Sequence, residues 1–122
     1  MDDRRKYKRF PIELNARYLS EENQKELRGC TVIDVSRGGM GIEVYLQEKI
    51  QIGSTLQLEI IIPIKEEQTI KATGILKWIR ELEEKMNFLG GIELITIDPE
   101  DKWTLLDYAY DNWSKRENEE ND

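Results

Sequence analysis

Residues 30–44 read CTVIDVSRGGMGIEV, and this stretch decides how the chain is expected to fold. Apolar and polar side chains alternate on both sides of a Gly-Gly pair, which is the pattern of two β-strands joined by a tight turn. Ile33 and Val35 then share the inward face of the first strand. Asp34 and Ser36 share its other face and are expected to point outward together. The stretch therefore predicts a β-hairpin.

Alternating runs also flank this hairpin, each bounded by Gly, Ser, Pro or charged residues. Residues 12–18 form one such run and residues 56–62 another. Pro63 ends or edges the second run because proline cannot donate to a sheet ladder. A turn through residues 65–68 is expected to follow. The inward side chains of the two runs are predicted to be Ile12, Leu14, Ala16, Tyr18, Leu56, Leu58, Ile60 and Ile62.

Two further strands are expected at about residues 69–80 and 88–96, with residues 81–85 as a solvated connection between them. This brings the number of predicted strands to six. Six antiparallel strands can close, or nearly close, into a small barrel, which removes exposed sheet edges. The fold class is therefore predicted to be mainly β, a six-stranded antiparallel barrel.

After the last predicted strand, the apolar period changes from two to that of a helix. Asp98 can cap this helix and Pro99 suits its first position. We expect the helix to span residues 98–116 and an acidic tail at residues 117–122 to fray. The apolar stripe is expected to cover one barrel opening, with a dimer or partner surface as the alternative. Its members are Trp103, Leu106, Tyr110 and Trp113.

Composition limits the possible functions. The 122 residues fit one domain, and 39% hydrophobic residues can supply its core. A net charge of -7 argues against general DNA or RNA binding, which requires an extended basic face. Residues 1–10 nevertheless carry five Lys or Arg against two Asp. Because charges are screened over ~8 Å at physiological salt, the acidic residues elsewhere in the chain do not prevent a small dianion from binding to this segment.

The sequence lacks the residues that several classes of function require. The sequence has no His, which excludes His-based catalysis and His metal ligation, and a single Cys30 can form neither an internal disulfide nor a thiolate cluster. The apolar run at residues 58–64 is too short to span a bilayer, and no leader-like apolar segment follows the first residues. We therefore expect a cytoplasmic protein that is not an enzyme, with no catalytic residues, no metal and no membrane insertion.

Two separated motifs outline an anion and purine site. Arg5 and Arg9 lie four residues apart, and a guanidinium can form paired hydrogen bonds with phosphate or stack on a purine. Asp34 offers an acceptor for guanine N1-H and N2-H2, and Ser36 a small hydroxyl. Gly39 lets a ligand approach the backbone closely. Each motif also has a structural interpretation, as a solvated basic terminus and as an Asx-type turn.

The order of these motifs resembles the PilZ domain, the bacterial receptor module for cyclic di-GMP. An RxxxR box at residues 5–9 precedes a D/N-x-S-x-x-G box at residues 34–39 by ~25 residues. The resemblance covers roughly residues 4–97. Other stretches resemble the family's first strand, aromatic strand and last barrel strand, namely Phe10-Pro11-Ile12, Gly74-Ile75-Leu76-Lys77-Trp78-Ile79 and Phe88-Leu89-Gly90-Gly91-Ile92-Glu93.

The resemblance implies a stand-alone PilZ-type barrel over residues 10–97, preceded by a flexible basic segment at residues 1–9. It implies a cyclic di-GMP receptor that needs no cofactor, changes conformation on binding and signals to an unidentified partner protein, as a monomer or weak dimer. The ligand-binding residues would be Arg5, Arg9, Asp34, Ser36 and Gly39, with two secondary candidates, Arg4 for a second ligand molecule and Gly38 for the turn.

Other classes of function remain open at this stage. A PilZ-like barrel can act as a nucleotide-independent protein interaction module through its C-terminal helix or tail. Carboxylate-only catalysis is formally possible. Single-stranded nucleic-acid binding on a barrel would need aromatic platforms on a basic surface, whereas most aromatic residues here are predicted to be inward or helical.

Overall fold

A computed structural model of the chain describes residues 8–21, 23–45, 50–82 and 87–120. Six β-strands are followed by one α-helix. The elements are β1 (Phe10–Ser20), β2 (Asn23–Val35), β3 (Gly39–Tyr45), β4 (Thr55–Ile62), β5 (Gln68–Leu82), β6 (Asn87–Ile97) and α1 (Pro99–Glu120).

The six strands form a closed antiparallel barrel in the order β1-β2-β3-β6-β5-β4. Strand β1 closes it by pairing with β2 on one side and with β4 on the other, where Ala16 lies opposite Ile60. The predicted barrel is therefore confirmed. One boundary differs, because β5 continues through Leu82 into the predicted connection, whose residues 83–85 lie outside the described residues.

The barrel core is filled by the alternate side chains of its strands. All eight side chains predicted to point inward from residues 12–18 and 56–62 are buried. Leu56, Ile60 and Ile62 are completely inaccessible at 0% exposure. Strand β4 ends at Ile62, directly before Pro63, as the missing proline N-H requires. Alternation with a period of two is thus what positions this core.

Strand β2 departs from strict alternation just before the candidate site. The β2–β3 register shifts between Val32, opposite Ile42, and Asp34, opposite Gly41, which leaves Ile33 as an extra residue. A bulge of this kind shifts the inward and outward positions that follow it. Val32 and Val35 are both fully buried, whereas Ile33 is half-buried. The prediction that Ile33 shares the core face with Val35 is therefore wrong.

Helix α1 begins as the sequence predicts and ends later. The Asp98 carboxylate accepts a hydrogen bond from the Glu100 backbone N-H at 2.9 Å, which is an N-cap, and Pro99 is the first helical residue. The helix runs to Glu120 instead of ending at residue 116. Residues 117–120 contain no Gly or Pro, and three of them are Glu, a good helix former. No helix among the described residues is long and apolar enough to cross a membrane.

The most deeply buried face of the helix lies beside the predicted one, of which Leu106 packs against the core. Leu105 and Ala109, one turn apart, are both 0% exposed and belong to the core, and the helix packs against β1 and β2. Trp103 is 61% exposed and Tyr110 is 50% exposed, so these two members of the predicted stripe do not cover the barrel. The small Ala109 side chain allows a close approach that a bulky aromatic ring at the same place would prevent.

Candidate functional site

The two sequence motifs meet at one end of the barrel. Phe10 at the start of β1 lies opposite Val35 at the end of β2, so Arg9 stands beside the second motif. Five of the seven predicted ligand residues are described there, namely Arg9, Asp34, Ser36, Gly38 and Gly39. Arg4 and Arg5, with the rest of the basic segment to residue 7, lie outside the described residues.

Arg9 and Asp34 are brought together across the β1–β2 pair. The Arg9 Nη1 atom is 3.7 Å from Asp34 Oδ1, and the two side chains are 31% and 23% exposed. A charged hydrogen bond is usually about 2.7–2.9 Å, so this ion pair is loose and both groups retain hydrogen-bonding capacity. Accessible pairs of this kind contribute about 0–1 kcal/mol to stability. A ligand can therefore compete for both side chains.

Asp34 is held in place by Gly41, a residue that the sequence analysis did not assign to the site. The Gly41 backbone N-H donates to Asp34 Oδ1 at 2.9 Å. A Cβ built on Gly41 would lie 3.0 Å from each carboxylate oxygen of Asp34, so the carboxylate rests where a side chain would otherwise be. The sequence signal was a second glycine two positions after Gly39, on the same face of β3.

Ser36 holds the turn between β2 and β3. Its Oγ accepts a hydrogen bond from the Gly39 N-H at 3.2 Å and lies 3.4 Å from the Gly39 carbonyl oxygen. The Ser36 N-H donates to that same carbonyl at 2.9 Å. Ser36 is buried, at 8% exposure, and so does not point outward with Asp34 as the sequence predicted. The turn interpretation of this motif therefore describes Ser36 well.

Gly39 is required by the neighbouring strand. A Cβ at this position would overlap the carbonyl oxygen of Ile92 on β6. A backbone hydrogen bond joins the same two segments, since the Leu94 N-H donates to the Gly38 carbonyl at 2.9 Å. Positive φ is not the reason, because among the described glycines only Gly53 has it, at 93°. The glycines thus let the turn lie directly against β6.

A groove runs between this turn and α1, and we call it the turn–helix groove. It consists of two cavities of about 620 and 430 Å³ that share Arg37, Trp103 and Leu106. The larger cavity is also lined by Gly38, Glu93, Leu94, Pro99 and Lys102, and the smaller one by Lys8, Phe10, Asp107 and Tyr110. The sequence analysis assigned neither Arg37 nor Trp103 to a site.

Aromatic contacts join the start of β1 to α1 at the end of this groove. The Phe10 ring meets the rings of Tyr110 and Trp113 edge-on, with centroids 5.7 and 5.6 Å away. The Lys8 ammonium lies 4.0 Å from the centroid of the Trp113 ring, within cation–π range. These contacts fix the position of the residues on either side of Arg9, namely Lys8 and Phe10.

Cys30 has no sign of activation. It is 4% exposed, and burial raises the pKa of its thiol from 9.0 to about 12. The thiol is therefore protonated at neutral pH, as expected for a small buried core residue. Among the described residues, no group of three or more His, Cys, Asp or Glu side chains is arranged to hold a metal ion.

Comparison with known proteins identifies one family. The PilZ domain profile matches residues 3–111, whereas no curated protein matches the chain. Among solved structures, the inhibitor of motility MotI/DgrA of Bacillus subtilis superposes with a TM-score of 0.76 at 21% identity, covering 91% of this chain. The chain spans 52% of that protein, about half its length.

Two further similar structures contain cyclic di-GMP. The PilZ domain of YcgR from Escherichia coli with c-di-GMP has a TM-score of 0.73 at 16% identity, and the match covers 97% of each chain. The MrkH–c-di-GMP complex of K. pneumonia also has a TM-score of 0.73 at 16% identity, covering 96% of this chain and 55% of that one. At these identities the likeness establishes the shared fold.

Proposed function

This chain belongs to the PilZ domain family, and from that premise we propose that it is a receptor for cyclic di-GMP. The proposal assigns binding without chemical conversion of the ligand. It draws on the family, on two similar structures that hold this ligand, and on the chemistry of the residues at the barrel end.

The observation that carries the proposal is the meeting of Arg9 and Asp34. One comes from each motif, and their charged groups lie 3.7 Å apart on an accessible surface. Guanine combines N-H donors on one edge with the acceptors O6 and N7 on another, so it complements a carboxylate beside a guanidinium. Cyclic di-GMP adds phosphates, which a second arginine at position 5 would bind.

The proposed roles divide the motif residues into two groups. Arg9 and Asp34 contact the ligand directly, together with Arg5. Ser36 and Gly39 act through the backbone, since the first fixes the turn and the second lets that turn lie against β6. Binding of a dianion would neutralise part of the charge of residues 1–10 and change the surface offered to a partner protein. This signalling step is part of the proposal.

Calorimetric titration of the purified protein with cyclic di-GMP tests the proposal, with GTP and cyclic di-AMP as controls. We expect saturable, guanine-selective binding with micromolar affinity, which corresponds to about -8 kcal/mol. Absence of heat and of a thermal shift at high micromolar ligand would refute the receptor proposal.

The Arg9→Ala variant tests the site itself. We expect it to lose measurable binding while its barrel melts as the wild type does, because the Arg9–Asp34 pair is accessible and loose. Arg17→Ala is the matched control. It removes the same charge from β1 and breaks the Arg17–Glu59 ion pair of 2.9 Å, on a different part of the surface, so it should bind normally. Unchanged affinity in Arg9→Ala would defeat the site assignment.

A nucleotide-independent interaction module is the second candidate. The exposed Trp103 and Tyr110 side chains on α1 favour it, because large exposed aromatic groups commonly mark binding surfaces. The titration separates the two functions, since a module of this kind would give no heat with any nucleotide. Partner proteins would then be sought by their binding to the exposed face of α1.

A further inference from the structure

Trp103 is placed as a stacking platform. It lies in the first half of α1, is 61% exposed, and lines both cavities of the turn–helix groove. Tyr110 lies two turns later on the same helix face, is 50% exposed, and lines the smaller cavity. Accessible aromatic faces bind nucleic-acid bases by stacking, since every base has a flat π-surface.

Asp107 supplies a hydrogen-bond acceptor beside this platform. It follows Trp103 by four residues, so both side chains lie on one face of α1, and it lines the same smaller cavity. An ionised carboxylate accepts hydrogen bonds and donates none. It therefore suits the N1-H and N2-H2 groups of guanine and disfavours adenine, which presents an unprotonated N1 at that edge.

Basic side chains outnumber acidic ones along the groove. Arg37 lines both cavities from the side of the β2–β3 turn. Lys8 lines the smaller cavity and Lys102 the larger one, so each cavity has two cations against a single acid, Asp107 or Glu93. A planar guanidinium opposite an aromatic platform suits a phosphate next to a stacked base.

The groove also continues from the candidate site. Arg37 and Gly38 belong to the turn that follows Asp34, and the Ser36–Gly39 hydrogen bonds fix that turn. From these contacts we propose that the turn–helix groove is a second guanine-nucleotide subsite, in which Trp103 stacks on the base, Asp107 binds its N-H edge and Arg37 binds phosphate. This inference rests on the proposed receptor function and extends it to residues outside the two boxes.

The guanine nucleotide in this subsite has two possible sources, the second half of one cyclic di-GMP molecule or a second molecule. Both present the same base and phosphate to Trp103, Asp107 and Arg37. The calorimetric stoichiometry distinguishes them, because one ligand per chain identifies the same molecule and two identify a second one. A cavity of about 430 Å³ falls within the usual range of small-molecule sites.

Trp103→Leu is the principal test. We expect it to bind cyclic di-GMP about fivefold or more weakly than the wild type, because it removes the stacking surface. Its thermal midpoint should be unchanged, since the side chain is 61% exposed. Ile52→Ala is the control, as it truncates a side chain that is 63% exposed and does not line the groove, and it should bind normally.

Asp107→Asn tests how the base is recognised. We expect a smaller preference for cyclic di-GMP over cyclic di-AMP, because the amide can donate to adenine N1 as well as accept from guanine. Asp111→Asn makes the same charge change one turn further along α1, outside the groove lining, and should leave the preference unchanged. Equal preference in wild type and Asp107→Asn would contradict this role.

Fluorescence gives a readout that a purely structural role would not change. The chain has three tryptophans, so a variant with Trp78→Phe and Trp113→Phe retains Trp103 alone. Its emission should be quenched saturably by cyclic di-GMP, with the midpoint found by calorimetry. Unchanged emission during calorimetrically measured binding would overturn the subsite.

The failures of the two proposals are distinguishable. If the wild type binds, Arg9→Ala does not, and Trp103→Leu matches the wild type, the subsite is refuted while the receptor function stands. If the wild type binds no guanine nucleotide, both proposals fail. Weaker binding by Trp103→Leu together with wild-type binding by Ile52→Ala supports the subsite.

Discussion

At the scale of single residues, the geometry of the barrel end depends on two glycines, which carry no Cβ, as much as on the charged side chains. Asp34 occupies the space that a Cβ of Gly41 would need, and the turn rests against Ile92 where Gly39 has no Cβ. The absence of a Cβ at Gly41 and at Gly39 therefore allows the Asp34 carboxylate and the β2–β3 turn to lie where they do. Substitutions at these positions should affect the fold or the site through sterics.

Gly39→Ala should destabilise the barrel. The added methyl would overlap the Ile92 carbonyl oxygen, and relieving such overpacking typically costs about 1–3 kcal/mol. Thermal unfolding should show a lower midpoint. Gly29→Ala is the matched control, because a Cβ there has nothing within 4 Å, and it should leave the midpoint unchanged or slightly raised. Equal midpoints for the two variants would contradict the steric explanation.

The sequence predicted which of the candidate residues lie together better than it predicted the contacts that each of them makes. Arg9 and Asp34 were predicted to share one site, and the structure brings their charged groups within 3.7 Å of each other. The buried role of Ser36 and the support from Gly41 could not be predicted, because both depend on the β2–β3 register. The bulge at Ile33 sets that register, and an extra residue in a strand leaves no distinct mark in the alternating pattern.

At the scale of elements, α1 shows how helical periodicity can indicate more than one face. Trp103, Leu106 and Tyr110 recur at helical spacing, and so do Leu105 and Ala109 one position away. Size and apolarity favour the aromatic set, whereas the barrel accepts the small Ala109 and the single Leu105. The start of the helix was predictable because capping is local, and the buried face was not because it depends on the shape of the barrel end.

Leu105→Ala tests which face holds the helix to the barrel. Leu105 is 0% exposed within the core, so its truncation should cost about 2–5 kcal/mol of unfolding free energy. Leu106→Ala removes the same atoms from the adjacent, half-buried position and should cost distinctly less. Urea titration followed by circular dichroism measures both. A larger loss for Leu106→Ala would indicate that the other face of α1 carries the packing.

At the scale of the whole molecule, the buried thiol of Cys30 links folding to alkaline pH. The unfolded chain loses this proton at about pH 9.0, whereas the folded protein keeps it until about pH 12. The unfolded state therefore binds fewer protons between these values, and stability falls as pH rises through the window. The slope contributed by one group is at most about 1.4 kcal/mol per pH unit. Below pH 9 this contribution is fully present.

Denaturant titrations at pH 8.0, 9.5 and 10.5 would measure this effect. Cys30→Ala should be less stable than the wild type at pH 8.0 because it leaves a cavity. The difference between the two proteins should shrink as pH rises, since the variant lacks the titrating thiol. Contributions from groups that the two proteins share cancel in the comparison. Parallel pH profiles would show that the thiol is not responsible.

The contact between Phe10 and Trp113 joins the first strand to the last helix, with ring centroids 5.6 Å apart. During synthesis at about 5–20 residues per second, β1 leaves the ribosome several seconds before this part of α1 does. Strand β6 pairs with both β3 and β5, so the barrel cannot close until residue 97 has been made, directly before α1. Strand β1 must therefore wait for most of the chain before it gains its contacts with the closed barrel and with α1, so the native fold forms late in synthesis.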